Sequence, residues 1–89
     1  MKEQTFVSRL EDEQGRMIDF ERWNFKRLSK VEESVKQLYG TYTSTYKDEL
    51  IRAASIVFYE APGNENYKEV KRIPHVDFND YLGLKEATL

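Results

Sequence analysis

The chain has 89 residues, enough for one domain and too few for two; 39% are hydrophobic and 34% charged, with five Phe, six Tyr and one Trp, an aromatic content foreign to disordered chains. The net charge is −2, residues 1–28 carry six acids and six bases, and no segment is basic enough to announce nucleic acid by charge alone. With no cysteine, disulfides and thiolate metal sites are excluded. That fits a reducing compartment, and with neither an apolar leader nor an apolar run of about 18 residues the chain reads as soluble, cytoplasmic and free of membrane contact.

Residues 1–5 are polar and read as flexible. Residues 6–11 alternate, Phe6, Ser8 and Leu10 against Val7 and Arg9, which is the period of a strand. Asp12, Glu13, Gln14 and Gly15 form a hairpin turn, with Gly15 free to take positive φ. Residues 16–25 resume as a strand with a change of parity: Ile18 and Phe20 share one face, Trp23 and Phe25 the other. Either a bulge near Glu21 and Arg22 flips the register or both faces are partly covered, and the bulge is favoured because so small a domain rarely covers both faces of a sheet.

Ser29 followed by Glu32 has the spacing of a capping box. From there Val31, Val35, Leu38, Tyr39, Tyr42 and Tyr46 draw one apolar stripe at helical spacing. The pattern predicts a helix over residues 29–39, with a partly helical continuation to about residue 50. Gly40 either ends the helix or is crossed at a cost of about 1 kcal/mol, and Thr41, Thr43 and Thr45 favour a break. Thr45 and Asp48 offer a second capped start.

Residues 54–60 give the densest strand signal, closed by a type II turn at Pro62, Gly63 and Asn64. Residues 67–73 alternate with more polar side chains, as an edge strand does, and Pro74 stops them. The tail carries Phe78, Tyr81, Leu82 and Leu84, with Asn79 as cap of a short helical turn. The sum is a single α+β domain over residues 1–89. Its order is β-β-α-β-β, an antiparallel four-stranded sheet with one main helix on one face and a short C-terminal helical turn.

Such an architecture hosts many functions, so chemistry must come from particular residues. His75, the single histidine, lies two residues before Asp77 and five before Asp80, a spacing that allows a metal or an acid–base pair; without a second strong ligand it reads as a loop residue. Glu11, Asp12 and Glu13, and the pair Asp19 and Glu21, offer paired carboxylates, but the first group belongs to a solvated turn and nothing marks the second as shifted. No nucleophile elbow, P-loop or dinucleotide fingerprint occurs. The expectation is therefore a non-enzymatic binding or regulatory module, with no cofactor and no small-molecule substrate.

Two surfaces are candidates for binding. Tyr39, Tyr42 and Tyr46 on one helical line, with an apolar tail, exceed what one thin core hides, which points to a protein partner or a homodimer held by Tyr42, Tyr46, Phe78 and Tyr81. The alternative is a nucleic-acid surface in which Arg22, Trp23, Lys26 and Arg27, extended by Lys68 and Arg72, stack bases and hold phosphates. The plainer account of that segment buries Trp23 and Phe25 under the helix and leaves the cations in water.

Overall fold

The computed structural model describes residues 5–61 and 67–84; the turn expected at residues 62–64 and all of the flexible start expected for residues 1–5 except Thr5 lie outside them, and Thr5 is already part of the first strand. Strands β1 (Thr5–Glu11) and β2 (Met17–Asn24) form the first hairpin. Helices α1 (Leu28–Thr41) and α2 (Thr43–Arg52) follow, then β3 (Ser55–Glu60) and β4 (Lys68–Pro74), a 3-10 turn (His75–Asp77) and a one-turn helix α3 (Phe78–Tyr81). The sheet order is β2-β1-β3-β4 with every neighbour antiparallel, so β1 and β3 are central and β2 and β4 are edges.

The core lies between one face of this sheet and the helices. Phe6 and Leu10 of β1 and Ile56 and Phe58 of β3 pack with Val31, Val35 and Tyr39 of α1, Leu50 of α2, and Phe78 and Leu82 from α3 and its end. These side chains are all but sealed from solvent, and their spacing is period two on the strands and three to four on the helices, as each element demands.

A four-stranded antiparallel sheet is present, but the expectation of one main helix is corrected to two, with a ββααββ order before the C-terminal turns. Gly40 does not stop α1. The chain stays helical to Thr41 and breaks at Tyr42 (φ −110°, ψ 38°), after which α2 begins. The break is held by Thr43, whose hydroxyl donates to the carbonyls of Tyr39 (2.7 Å) and Gly40 (3.0 Å). Gly40 serves packing instead: a Cβ there would stand 3.1 Å from the Leu82 carbonyl oxygen, so glycine lets α1 approach the end of α3.

The expected capping box is also absent. Arg27 occupies the N-cap position without a side-chain bond, and Glu32 reaches across the molecule rather than back to its own first turn. The second start lies at Thr43, not at Thr45. The β2 bulge exists but sits earlier than expected. Register runs unbroken from Thr5 opposite Asn24 to Leu10 opposite Asp19, then slips so that Glu11 faces Met17. Ile18, the extra residue, packs on the helix-side core, while Phe20 lies opposite Arg9 on the other face. Asn79 lies inside α3, which closes at Gly83 (φ +71°) with the Leu84 amide donating to the Asn79 carbonyl at 2.9 Å.

Phe78 stands at the centre of this packing with no exposed surface. Phe78→Ala is expected to cost about 3–5 kcal/mol, comparable with the whole stability of a chain this small. Urea unfolding followed by circular dichroism checks this; a variant as stable as the parent would place Phe78 outside the core.

Candidate interaction surface

Along β2 the side chains facing the helices are Asp19, Glu21 and Trp23, set by their register opposite Leu10, Ser8 and Phe6. The Trp23 indole N–H donates to the Ser8 hydroxyl at 2.9 Å, which accounts for a buried serine between two core residues. Its ring stacks on Phe25 with centroids 6.3 Å apart. Next along the strand, the Tyr39 hydroxyl donates to Asp19 at 3.1 Å, and the Tyr39 ring meets Tyr46 edge-on at 5.0 Å. Burial, then the charge of Asp19, pushes the Tyr39 hydroxyl far above the ordinary tyrosine range. Burial with Asp19 beside it likewise raises Glu21 above the usual carboxylate range.

An open cleft of about 300 Å³ runs between Trp23 and Tyr42, floored by Ser34, Gln37, Leu38 and Thr41 of α1. Tyr42, at the break between the helices, is 54% exposed.

The four residues expected to bind a partner are therefore divided. Tyr42 is exposed at the cleft, and Tyr46 is half-buried beside Tyr39 on the β2 side. Phe78 is core, and Tyr81 lies toward the opposite edge of the sheet. There the Tyr81 hydroxyl donates to Glu32 at 2.6 Å, Lys71 pairs with the same carboxylate at 2.9 Å, and Lys36 sits 4.7 Å above the Tyr81 ring. Desolvation works against the Glu32 charge, but the bonds from Tyr81 and Lys71 outweigh it and its carboxyl titrates below the usual range.

The face of the sheet away from the helices carries Arg9 and Glu11 of β1, Phe20 and Arg22 of β2, Val57 and Tyr59 of β3, and Glu69 and Arg72 of β4. Glu11 is only 3% exposed. Its carboxylate accepts the Tyr59 hydroxyl at 2.5 Å, with Arg9 Nε at 3.2 Å (close enough to pair but not aligned as a hydrogen bond) and Arg72 at 3.8 Å. Arg72 is further held by Glu69 through two bonds of 2.8 and 3.0 Å. Arg9 lies over the Tyr59 ring, and Arg22 lies over Phe20 while donating to the Tyr67 hydroxyl at 3.4 Å. Desolvation and the Glu11 contact push Tyr59 up to about 12.

Of the residues expected to bind nucleic acid, Arg22 and Arg72 share this face, but Trp23 points to the other side. Lys68 lies opposite Glu60 at the far edge, and Lys26 and Arg27 are exposed between β2 and α1. The structure does not gather the six.

His75 is occupied locally. Its Nδ1–H donates to the Ala53 carbonyl at 2.8 Å and its ring lies 4.8 Å from Phe78, tying the end of β4 to the start of β3. It borders a second shallow cleft of about 310 Å³ with Glu13, Ile51 and Arg52. Among the described residues no group of three or more His, Cys, Asp or Glu is placed to hold a metal ion. Among those residues, too, no helix is long and apolar enough to cross a membrane.

Sequence reasoning missed the burial of Glu11, which it assigned to a solvated turn. The one signal was parity, since Glu11 alternates with Val7 and Arg9 along the strand. Comparison with models of protein families, with curated proteins and with solved structures finds no match.

Tyr59→Phe is expected to remove a charge-assisted bond worth about 1.5–3 kcal/mol from Glu11. A tyrosine held near 12 in the fold and near 10 in the unfolded chain binds its proton more tightly when folded. Its contribution is therefore complete below pH 10 and lost as the pH rises toward 12. Urea midpoints measured up the alkaline limb should fall, and fall less steeply in Tyr59→Phe; equal slopes would remove Tyr59 from the account.

Proposed function

We propose that this chain is a non-enzymatic binding module that holds another protein in the cleft between Trp23 and Tyr42. The observation that carries the reading is the pairing of an exposed tyrosine with a tryptophan anchored to the sheet, over an open groove floored by Leu38. Tyrosine and tryptophan bury large area at little loss of rotamer freedom and dominate the energetics of protein contacts. The absence of cysteine accords with work in the cytoplasm.

The polar clusters elsewhere support a structural role over a catalytic one. Glu11 is engaged by Tyr59 and two arginines, Glu32 by Tyr81 and Lys71, and the His75 ring by a backbone carbonyl. A nucleic-acid surface draws less support, because Arg72 and Arg9 already share their charge with Glu11 and Glu69.

A photo-crosslinking phenylalanine derivative in place of Tyr42 tests the reading in cells. It is expected to give one discrete adduct with a protein, lost on Trp23→Ala, while the same group in place of Glu13 at the hairpin tip gives none. No adduct at position 42 would overturn the reading. So would oligonucleotide binding to the purified chain that weakens steeply with salt, the mark of phosphate contacts.

A further inference from the structure

Acids without an ion pair occur in several places among the described residues, Glu13, Asp48, Asp77 and Asp80 included, and three more lie beside the Trp23–Tyr42 cleft. Glu11, Asp12, Glu32, Glu33 and Glu69 each lie within ion-pair distance of a lysine or arginine. Asp19, Glu21 and Glu49, all on the side of the Trp23–Tyr42 cleft, have no such partner among the described residues.

Their placement follows from contacts already given. Glu21 and Trp23 alternate on the helix-facing side of β2, about 7 Å apart along the strand. Asp19 is one step further and accepts the Tyr39 hydroxyl, and Tyr39 meets Tyr46 ring to ring. Glu49 follows Tyr46 by three residues on α2 and so shares its side of the helix. A cleft with two aromatic walls, and a floor of Leu38 among Ser34, Gln37 and Thr41, thus has beside it, around Tyr46, three carboxylates that no lysine or arginine among the described residues neutralises.

From this the geometry points to a partner segment that is cationic as well as apolar: an exposed stretch of another protein in which lysine or arginine alternates with apolar side chains. The apolar residues lie against Trp23, Leu38 and Tyr42, and the cations reach Glu21, Asp19 and Glu49. The inference rests on the binding reading above and adds the chemistry of the partner.

Charge also decides against two other occupants. A second copy seated by a two-fold axis on this cleft would set Asp19, Glu21 and Glu49 against themselves, since such an interface pairs one patch with itself. The sheet edges do not invite a second copy either. β2 carries Asp19, Glu21 and Arg22 along its edge, and β4 has a bulge at Val70, flanking lysines and a terminal proline, all devices that discourage strand addition. A phosphate backbone would meet carboxylates here.

Trp23 is the single tryptophan, so its fluorescence reports on the cleft directly. The full chain is titrated with three acetylated, amidated hexapeptides in which leucine alternates with lysine, glutamine or glutamate. The lysine peptide is expected to shift Trp23 emission saturably, the glutamine peptide to bind at least several-fold more weakly, and the glutamate peptide to give no response. Glu21→Gln should weaken the lysine peptide about two- to fivefold, Tyr42→Ala should weaken it further, and Glu13→Gln at the remote hairpin tip should leave it unchanged. Circular dichroism confirms that each variant is folded.

Equal response to the lysine and glutamine peptides, no response to any, or indifference to Glu21→Gln would overturn the inference. So would a dimer in sedimentation that Tyr42→Ala dissociates. The crosslink at position 42 is read separately, so a partner without cationic character leaves the binding reading standing while this one falls.

Discussion

Register between β1 and β3, from Phe6 opposite Glu60 to Glu11 opposite Ser55, is the joint on which the structure depends. A hairpin alone is marginal in water, and each of the two here would be an isolated ribbon without that joint. Pairing the central strands brings Phe6 and Leu10 alongside Ile56 and Phe58 and so creates a surface wide enough for two helices to cover. The joint also sets Glu11 within reach of Tyr59 and Arg72, which lie in the other hairpin. One alignment thus decides the contents of both faces.

The faces are then closed by different physics. Under the helices the closure is apolar, with Tyr39 and Trp23 placing their polar tips on Asp19 and Ser8 at the margin. On the far side no helix of the described residues lies across the strands, yet Val7 and Val57 are fully buried. Their cover comes from long side chains laid flat, arginine over tyrosine and phenylalanine, with Glu11 as the shared counter-charge. Arginine suits this because its planar group stacks on a ring and still pairs with a carboxylate. Of the six residues noted in the sequence as a nucleic-acid surface, Arg22 and Arg72 are taken up on that face.

The strands and the first helix were legible because their periods are clean: Phe6, Ser8 and Leu10 for one strand, Val31, Val35 and Tyr39 for the helix. Features decided by contacts distant in sequence were not. Gly40 looked like a terminator because its partner, the Leu82 carbonyl, lies 42 residues away in the chain. Glu32 had the spacing of a capping box, but Tyr81 and Lys71 compete for its carboxylate and win. Parity along β2 was read from its apolar residues, which misplaced the bulge because Asp19 and Glu21, not Phe20, face the helices. At the candidate site, Tyr42 was visible as a surplus ring, whereas its companion across the cleft, Trp23, had been grouped with the cations beside it.

The interruption at Tyr42 has a further consequence, one of length. An unbroken rod from Leu28 to Arg52 would run about 37 Å at 1.5 Å per residue, while strands of six to eight residues reach only roughly 20–25 Å. A straight rod would overhang its platform and carry Leu50 past the core. The elbow returns the second segment to the sheet, and the residue at an elbow belongs to neither arm. Whatever side chain stands there is held out on a rigid corner, so the same economy of length that lets so short a chain cover its sheet also puts a tyrosine on display.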